Sequence, residues 1–396
     1  MIKPSLVLLT LCNLCFLVGC WDRSEINDIA IITATALDYS NENEIELSVE
    51  IVIPESMSAM VKEGGGSGAR STFVESAIGE TLADARSNLQ TKVARTLFWG
   101  HSESTVIGEK LAEHGIKEHL DFFSRMPETR FRNVVYVSQG KAKEIISSLP
   151  HLEDTASETL HELAQFESGL HITMKDLFQM LKSQTGETTL PLIKVVQTKE
   201  EGKMKDKTQL IINGAALFKE DKMIGTMDQV ETRGILWIRN EIKTATVTIN
   251  IEDGEGKGKV SLEMIRSSTE LQPSIENGRW KMKIIITTED DIIQNASNFD
   301  MRSPDIIHKI KMKAEKDIED RVKQAVSIVK DDKKVDILTF GESFRRKYPK
   351  EWQKVKDKWE ERFPEIEVEY DVTVKVLRPG EATEPPAVPD DKVKEG

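Results

Sequence analysis

Ile26-Asn27-Asp28-Ile29-Ala30-Ile31-Ile32-Thr33-Ala34-Thr35-Ala36-Leu37, a turn cluster at 38–43, and then Ile45, Leu47, Val49, Ile51 and Ile53 in strict alternation decide the fold class of this chain. The first run is rich in β-branched residues and apolar on both parities, the pattern of a largely buried strand. The second run is apolar at every other residue, the pattern of a strand with one face in a core. Joined by a polar turn, the two predict an antiparallel hairpin that ends at Pro54.

Outward from the hairpin the elements alternate. Residues 71–90 are predicted helical, with Phe73, Ala77, Leu82, Ala85 and Leu89 at three- and four-residue steps. Short strands are expected at 91–98 and 104–107, linked by Trp99-Gly100-His101. An amphipathic helix over 110–124 presents Leu111, Ile116, Leu120 and Phe123, and a strand follows at 132–137. Helices are expected at 141–149, 157–167 and 173–182, and 190–196 reads as extended. A second hairpin turns at 219–221, between 210–218 and 222–225. Trp237, within 231–238, suits a core or a domain junction better than a ligand platform.

The last third repeats the pattern with longer elements. Strands are predicted at 244–251, 259–270, 279–289 and 365–377, the last from the alternation of Ile366, Val368, Tyr370, Val372, Val374 and Val376. Ser303-Pro304-Asp305 is a helix start, with proline in the first turn. Ile307, Ile310, Ala314, Ile318, Val322, Ala325 and Val329 then form one apolar stripe. A second helix over 350–362 puts Trp352, Val355 and Trp359 on one face. The whole predicts an α+β, multi-domain chain with largely antiparallel sheets and flanking helices. Its expected parts are 1–19, 20–139, 140–238, 239–378 and a proline-rich, charged tail at 379–396 that reads as disordered.

The N-terminus carries a separate signal. Met1 and Lys3 precede an apolar stretch of signal-peptide length, which is too short for a stable bilayer span. It ends at Leu17-Val18-Gly19-Cys20 and turns polar at once, which is the bacterial lipobox pattern. Residues 1–19 are therefore expected to be removed as a leader, and the Cys20 thiol to carry a diacylglycerol. Several buried acyl chains hold a protein stably at a membrane, at about 0.8 kcal/mol per methylene, where one chain holds it only marginally.

Composition narrows the function. The formal net charge is −13, which argues against nucleic acid and against lying flat on anionic lipid. Of the three cysteines, Cys12 and Cys15 fall in the expected leader and Cys20 is the lipidation site. The remaining body has no thiol for a disulfide, a zinc–thiolate site or a cysteine nucleophile.

The motifs that suggest chemistry are incomplete. Gly64-Gly65-Gly66-Ser67-Gly68-Ala69-Arg70-Ser71 lacks the lysine that a phosphate loop needs and reads as an exposed loop. His101, beside Ser102 and Glu103, invites a triad reading, but adjacency in sequence does not supply triad geometry. His161-Glu162 begins a zinc-protease motif whose second histidine position is Gln165. His171 stands alone. No catalytic, metal or cofactor residue is assigned.

Several of these pieces together resemble one family. They are Gly19-Cys20-Trp21-Asp22-Arg23 with Glu25-Ile26-Asn27-Asp28, Leu97-Phe98-Trp99-Gly100-His101, Leu120-Asp121-Phe122-Phe123-Ser124-Arg125 and Leu190-Pro191-Leu192-Ile193. Glu231-Thr232-Arg233-Gly234-Ile235-Leu236-Trp237-Ile238 and Lys347-Tyr348-Pro349-Lys350-Glu351-Trp352 complete the set. In this order they resemble the C subunits of GerA-type spore germinant receptors, the Ger(x)C lipoproteins, from the lipobox to about Leu377. The resemblance implies three mixed α/β domains, tethered to the outer face of the inner spore membrane. It also implies assembly with integral A and B subunits into a nutrient receptor, with a nutrient as the candidate ligand.

The expected function is thus a non-enzymatic receptor subunit. A solute-binding lipoprotein of a transporter is the alternative, although that class favours two similar doubly wound lobes. A surface hydrolase would have to rely on His101 or on His161 with Glu162.

Overall fold

The computed structural model describes residues 28–41, 44–53, 71–148, 150, 152–166, 169–183, 188–198, 207–253, 256–380, 388–389 and 393. The expected leader, Cys20, residues 64–70 of the glycine-rich stretch, residues 199–206 and most of the 379–396 tail lie outside the described residues.

The opening hairpin forms as its sequence predicts. Strand β1 (Ile29–Asn41) pairs antiparallel with β2 (Glu44–Val52), with Leu37 opposite Leu47 and Thr35 opposite Val49. The next segment departs from expectation. Residues 72–79 are a strand, β3 (Thr72–Gly79), antiparallel to β2, and only Leu82–Gln90 is a helix, α1. The apolar steps of 71–90 straddle the joint between the two, which Thr81 marks by capping the helix at Asp84 N. Gly79 is required there, since a Cβ would lie 2.3 Å from Ala85 N.

Beyond α1 come β4 (Thr96–Phe98), β5 (Ser104–Gly108), α2 (Glu109–His114) and α3 (Lys117–Arg125). The single helix expected over 110–124 is therefore two, divided at Gly115, whose φ of 129° ends α2. Next are β6 (Val134–Ser138), α4 (Ala142–Ile146), α5 (Ala156–Gln165), α6 (Met174–Leu181), β7 (Thr189–Thr198), β8 (Lys207–Lys219) and β9 (Lys222–Met227). These strands form one nine-stranded sheet in the order β3-β2-β1-β5-β6-β7-β8-β9, with β4 beside β1. Its centre, β1-β5-β6-β7, is parallel, and its flanks are the two predicted hairpins and β3. Because β6 pairs with β7, the sheet runs across residue 139, so segments 20–139 and 140–238 share one sheet.

Both faces of this sheet are covered. One core takes Leu47, Val49, Val135 and Val137 with α1, α2, α3 and α6. The other takes Ala34, Ala36, Val106 and Tyr136 with α4 and α5. That explains the unbroken apolar run of β1, since a central strand buried on two sides has no polar face to show.

Helix α7 (Gln229–Ile238) leads to the second unit. It opens with a capping box between Asp228 and Glu231, and it buries Trp237 as expected for a junction residue. Strands β10 (Thr246–Asp253), β11 (Gly256–Glu276), β12 (Arg279–Ala296) and β13 (Glu367–Arg378) then make the four-stranded sheet the sequence predicts. β13 lies parallel to β12. The crossover between them contains α8 (Pro304–Ser327), which starts at its Ser303 cap and buries Ile310, Ala314, Ile318, Val322 and Ala325. A π-helical turn (Ile328–Asp332), α9 (Phe340–Lys347) and α10 (Pro349–Val355) follow. The helix expected over 350–362 breaks at a 3-10 turn, Lys356–Lys358, before α11 (Trp359–Arg362). Trp352 and Trp359 still meet, ring centres 4.9 Å apart, within a buried aromatic cluster that includes Trp280 and Phe344. The two units are unlike, and neither repeats the other's strand order.

Candidate functional site

His101 follows β4 in an exposed turn, its ring 6.0 Å from that of Phe98. Its neighbour Ser102 is buried and accepts a hydrogen bond from Asn133 Nδ2 at 3.1 Å. The two side chains occupy different environments, so the structure does not assemble the Ser–His pair that the sequence placed side by side. Trp99 explains the motif better. Its indole N–H donates to Thr35 Oγ1 at 3.2 Å, its backbone N–H donates to Glu128, and Arg86 lies 5.4 Å above its ring. A Cβ at Gly100 would lie 2.4 Å from the tip of the Phe98 ring, which would have to turn aside to admit it.

His161 and Gln165 lie one turn apart on α5, and their nitrogens meet at 3.0 Å. A glutamine fills the second ligand position, as the sequence indicates. His171 Nδ1 meets Ala164 O at 3.1 Å, at the end of the same helix. Among the described residues, no three His, Cys, Asp or Glu side chains gather closely enough to hold a metal ion.

The sequence reading passed over the buried carboxylates, and these organise the fold. Asp38 accepts from Ala142 N and Lys143 N, both at 2.8 Å, at the start of α4. Glu50 accepts from four donors: Thr33 and Thr72 hydroxyls at 3.0 Å each, Ala156 N at 3.2 Å and Ser157 N at 3.1 Å, at the start of α5. Burial raises both carboxyls above their ordinary range, and these hydrogen bonds oppose the shift. In the second unit Asp336 accepts from Phe340 N and Gly341 N at the start of α9 and from Trp359 Nε1 at 3.0 Å, and burial pushes it up to about 7. Burial also pushes Asp290 up to about 6, against the hydrogen bond from Thr288. Each of the three helix-capping groups has its oxygens committed to helix N–H donors. Asp38 and Glu50 fix helices to strands, Asp336 joins α9 to Trp359 of α11, and none of the three offers a free base to a substrate. No sequence signal marked Glu50, because it falls on the polar parity of β2 with Glu46 and Ser48, a parity that reads as a solvent face until α5 covers it.

With no catalytic set assembled among the described residues, surfaces become the features of interest. At one end of the four-stranded sheet the registers slip at Met264/Arg266, at Ser261/Leu262 and at Asp290/Asp291. The skipped residues are Ile265, Ile293 and Leu377, which are exposed. A bulge turns an extra side chain onto a face it would otherwise avoid, and here three neighbouring strands each do so. Charges surround them, with Arg266 paired to Glu289 and Arg378 to Asp291. No helix among the described residues is long and apolar enough to cross a membrane.

Comparison with known proteins finds relatives along most of the chain. Residues 22–195 match a family model described as the spore germination protein N-terminal domain. Residues 213–380 match one described as spore germination B3/GerAC like, C-terminal. The chain is 28% identical to spore germination protein KC of Bacillus subtilis (strain 168) over 396 residues, 96% of each chain. It is 25% identical to spore germination protein B3 of the same organism, over 96% of this chain and 98% of that one. Among solved structures, the crystal structure of the GerBC protein superposes with a TM-score of 0.52 at 21% identity, covering 87% of this chain and 96% of that one. At that identity the likeness is one of fold.

Proposed function

Because the chain belongs to the GerAC-like family of spore germination proteins, we propose that it is a non-enzymatic lipoprotein subunit of a germinant receptor. Family membership ties it to spore germination. The finer reading has three parts. Cys20 carries the lipid, the body sits on the outer face of the inner spore membrane, and it assembles there with integral A and B subunits. The observation that carries this reading is the two-part family match along nearly the whole chain, 22–195 and 213–380. The incomplete His161–Gln165 pair and the committed carboxylates agree with a role in contact rather than catalysis.

A lipid tether acts by raising local concentration, so its removal weakens an assembly without touching any contact surface. The test compares spores with the chain deleted, spores carrying Cys20→Ala and spores with the native chain. Deletion should abolish the response to at least one nutrient. Cys20→Ala should leave the leader uncut or the body displaced from the membrane, with a reduced response. An unchanged response of the deletion strain to every nutrient, in a background without duplicate receptors, rejects the receptor reading.

A further inference from the structure

Helix α5 buries one face fully and leaves a second, mixed face partly open, on which Leu163 also packs against the core. Ala156, Leu160 and Ala164 are buried beneath the large sheet. One step round the helix, Thr159, Glu162, Leu163 and Phe166 follow at i, i+3, i+4 and i+7 and line an open groove of about 400 Å³. Leu210 on β8 forms the facing wall, and Leu152 stands at the end. Leu152 is 94% exposed and Phe166 72% exposed, the two highest values among the large hydrophobic side chains described. Isolated exposed leucines are ordinary, but two such residues flanking one apolar groove mark a contact surface.

The rim supplies the charge. Glu153, Asp154, Glu158 and Glu162 gather at the start and outer side of α5, and no salt bridge among the described residues neutralises any of the four. Burial raises the Glu158 carboxyl, the Asp154 backbone N–H opposes that shift, and the neighbouring charges of Glu153, Asp154 and Glu162 add to it.

We propose that this groove is the docking site for a basic amphipathic helix of a partner protein, with apolar side chains at i, i+3 or i+4 and i+7 and Lys or Arg along its flanks. Laying the apolar face of a helix into a hydrophobic groove is a recurrent recognition mode, and an acidic rim selects a basic partner and steers its approach. The same rim repels an anionic lipid surface. A small-molecule site would enclose its ligand within convergent polar groups, whereas the two most exposed apolar residues here stand out of the groove. The inference rests on the reading that the chain works within a receptor assembly, and it names the kind of segment that assembly must present.

The test uses the chain in its own spores, with the photoreactive residue benzoylphenylalanine replacing Phe166 or, separately, Leu152, and with replacement of the exposed Met312 on α8 as control. Irradiation should join positions 166 and 152 to one segment of a second protein. Sequencing of the joined peptide by mass spectrometry should return the basic amphipathic pattern. The double variant Glu153→Lys, Glu162→Lys should lower the yield at least five-fold at equal protein level. The neutral pair Glu153→Gln, Glu162→Gln, which disturbs folding less, should lower it by a smaller factor. Capture of residues 199–206 of the same chain, of a second copy, of lipid or of a segment without basic flanks overturns the proposal. So does absence of any product specific to 166 and 152, or a yield that charge reversal leaves unchanged. Germination of the strain lacking the chain is scored in parallel. A normal response there rejects the receptor reading itself, whereas a defect there with no groove product rejects only the groove.

Discussion

Glu50 and Ser157 are 107 residues apart in sequence, and the Glu50 carboxylate accepts the Ser157 backbone N–H at 3.1 Å. The same side chain takes Ala156 N and the Thr33 and Thr72 hydroxyls, so one acid fastens helix α5 to strands β1, β2 and β3. A carboxylate is the one group of this size with acceptor capacity for four donors. Glu50→Gln keeps one acceptor oxygen and turns an N–H₂ toward the donors. Leaving buried donors unmet costs about 1–3 kcal/mol each, so Glu50→Gln should destabilise the first unit by about 2 kcal/mol and Glu50→Leu by more. Urea unfolding of the chain from residue 21 measures this. Equal midpoints for Glu50→Gln and the native chain would show that the four contacts contribute nothing.

Asp336 gives the second unit a pH dependence of definite sign. Its carboxyl rises from an ordinary 3.8 to about 7, chiefly through burial, so the folded protein holds this proton over a range in which the unfolded chain has released it. Its contribution is fully present below about pH 4 and is lost as pH rises through 7. Asp336→Asn cannot ionise and retains one acceptor oxygen for the Phe340, Gly341 and Trp359 donors. Thermal melting between pH 4 and 8 should show a decline in the native chain that is shallower in Asp336→Asn. Parallel curves for the two proteins would assign the pH dependence to other groups.

The close crossing of α7 and α8 depends on Gly234. A Cβ there would lie 2.4 Å from Ala325 Cβ and 2.8 Å from Arg321 O. The second contact is backbone and cannot swing aside, so the helices must part. Overpacking of this kind costs about 1–3 kcal/mol, and Gly234→Ala should fall in that range although alanine favours a helix by nearly 1 kcal/mol over glycine. Chemical denaturation with an unchanged slope is the expected result. A variant as stable as the native chain would mean that the crossing is looser than the structure shows.

Much of the fold was legible in the residues, for reasons that also explain the misses. Strict alternation in 45–53 and 366–376 and the long stripe of α8 are periodic over many residues, and each formed as read. The segment 71–90 was misread because two short elements meet at Gly79 and their apolar residues add up to a false helical period. The parallel centre of the large sheet could not be read locally, since β1 meets β5 only through contacts between residues about 70 apart. The incomplete metal motif at His161 was readable because a ligand set is a local spacing. Glu50, Asp38 and Asp336 escaped notice because their partners are backbone N–H groups, which carry no residue identity.

The histidines offer the most direct check on the proposal that the chain works without catalysis. A hydrolytic reading rests on His101 or on His161 with Glu162, and these two histidines and the lone His171 each have a structural contact: Phe98, Gln165 and Ala164 O respectively. Replacing an exposed side chain that makes one such contact changes stability by about 0.5 kcal/mol or less. His101→Ala, His161→Ala and His171→Ala should therefore each support a full germination response at normal protein level. Loss of a general base or metal ligand would instead cut the rate by orders of magnitude, about 100-fold or more. A collapse of that size at unchanged protein level in any one of the three would replace the contact role with a chemical one.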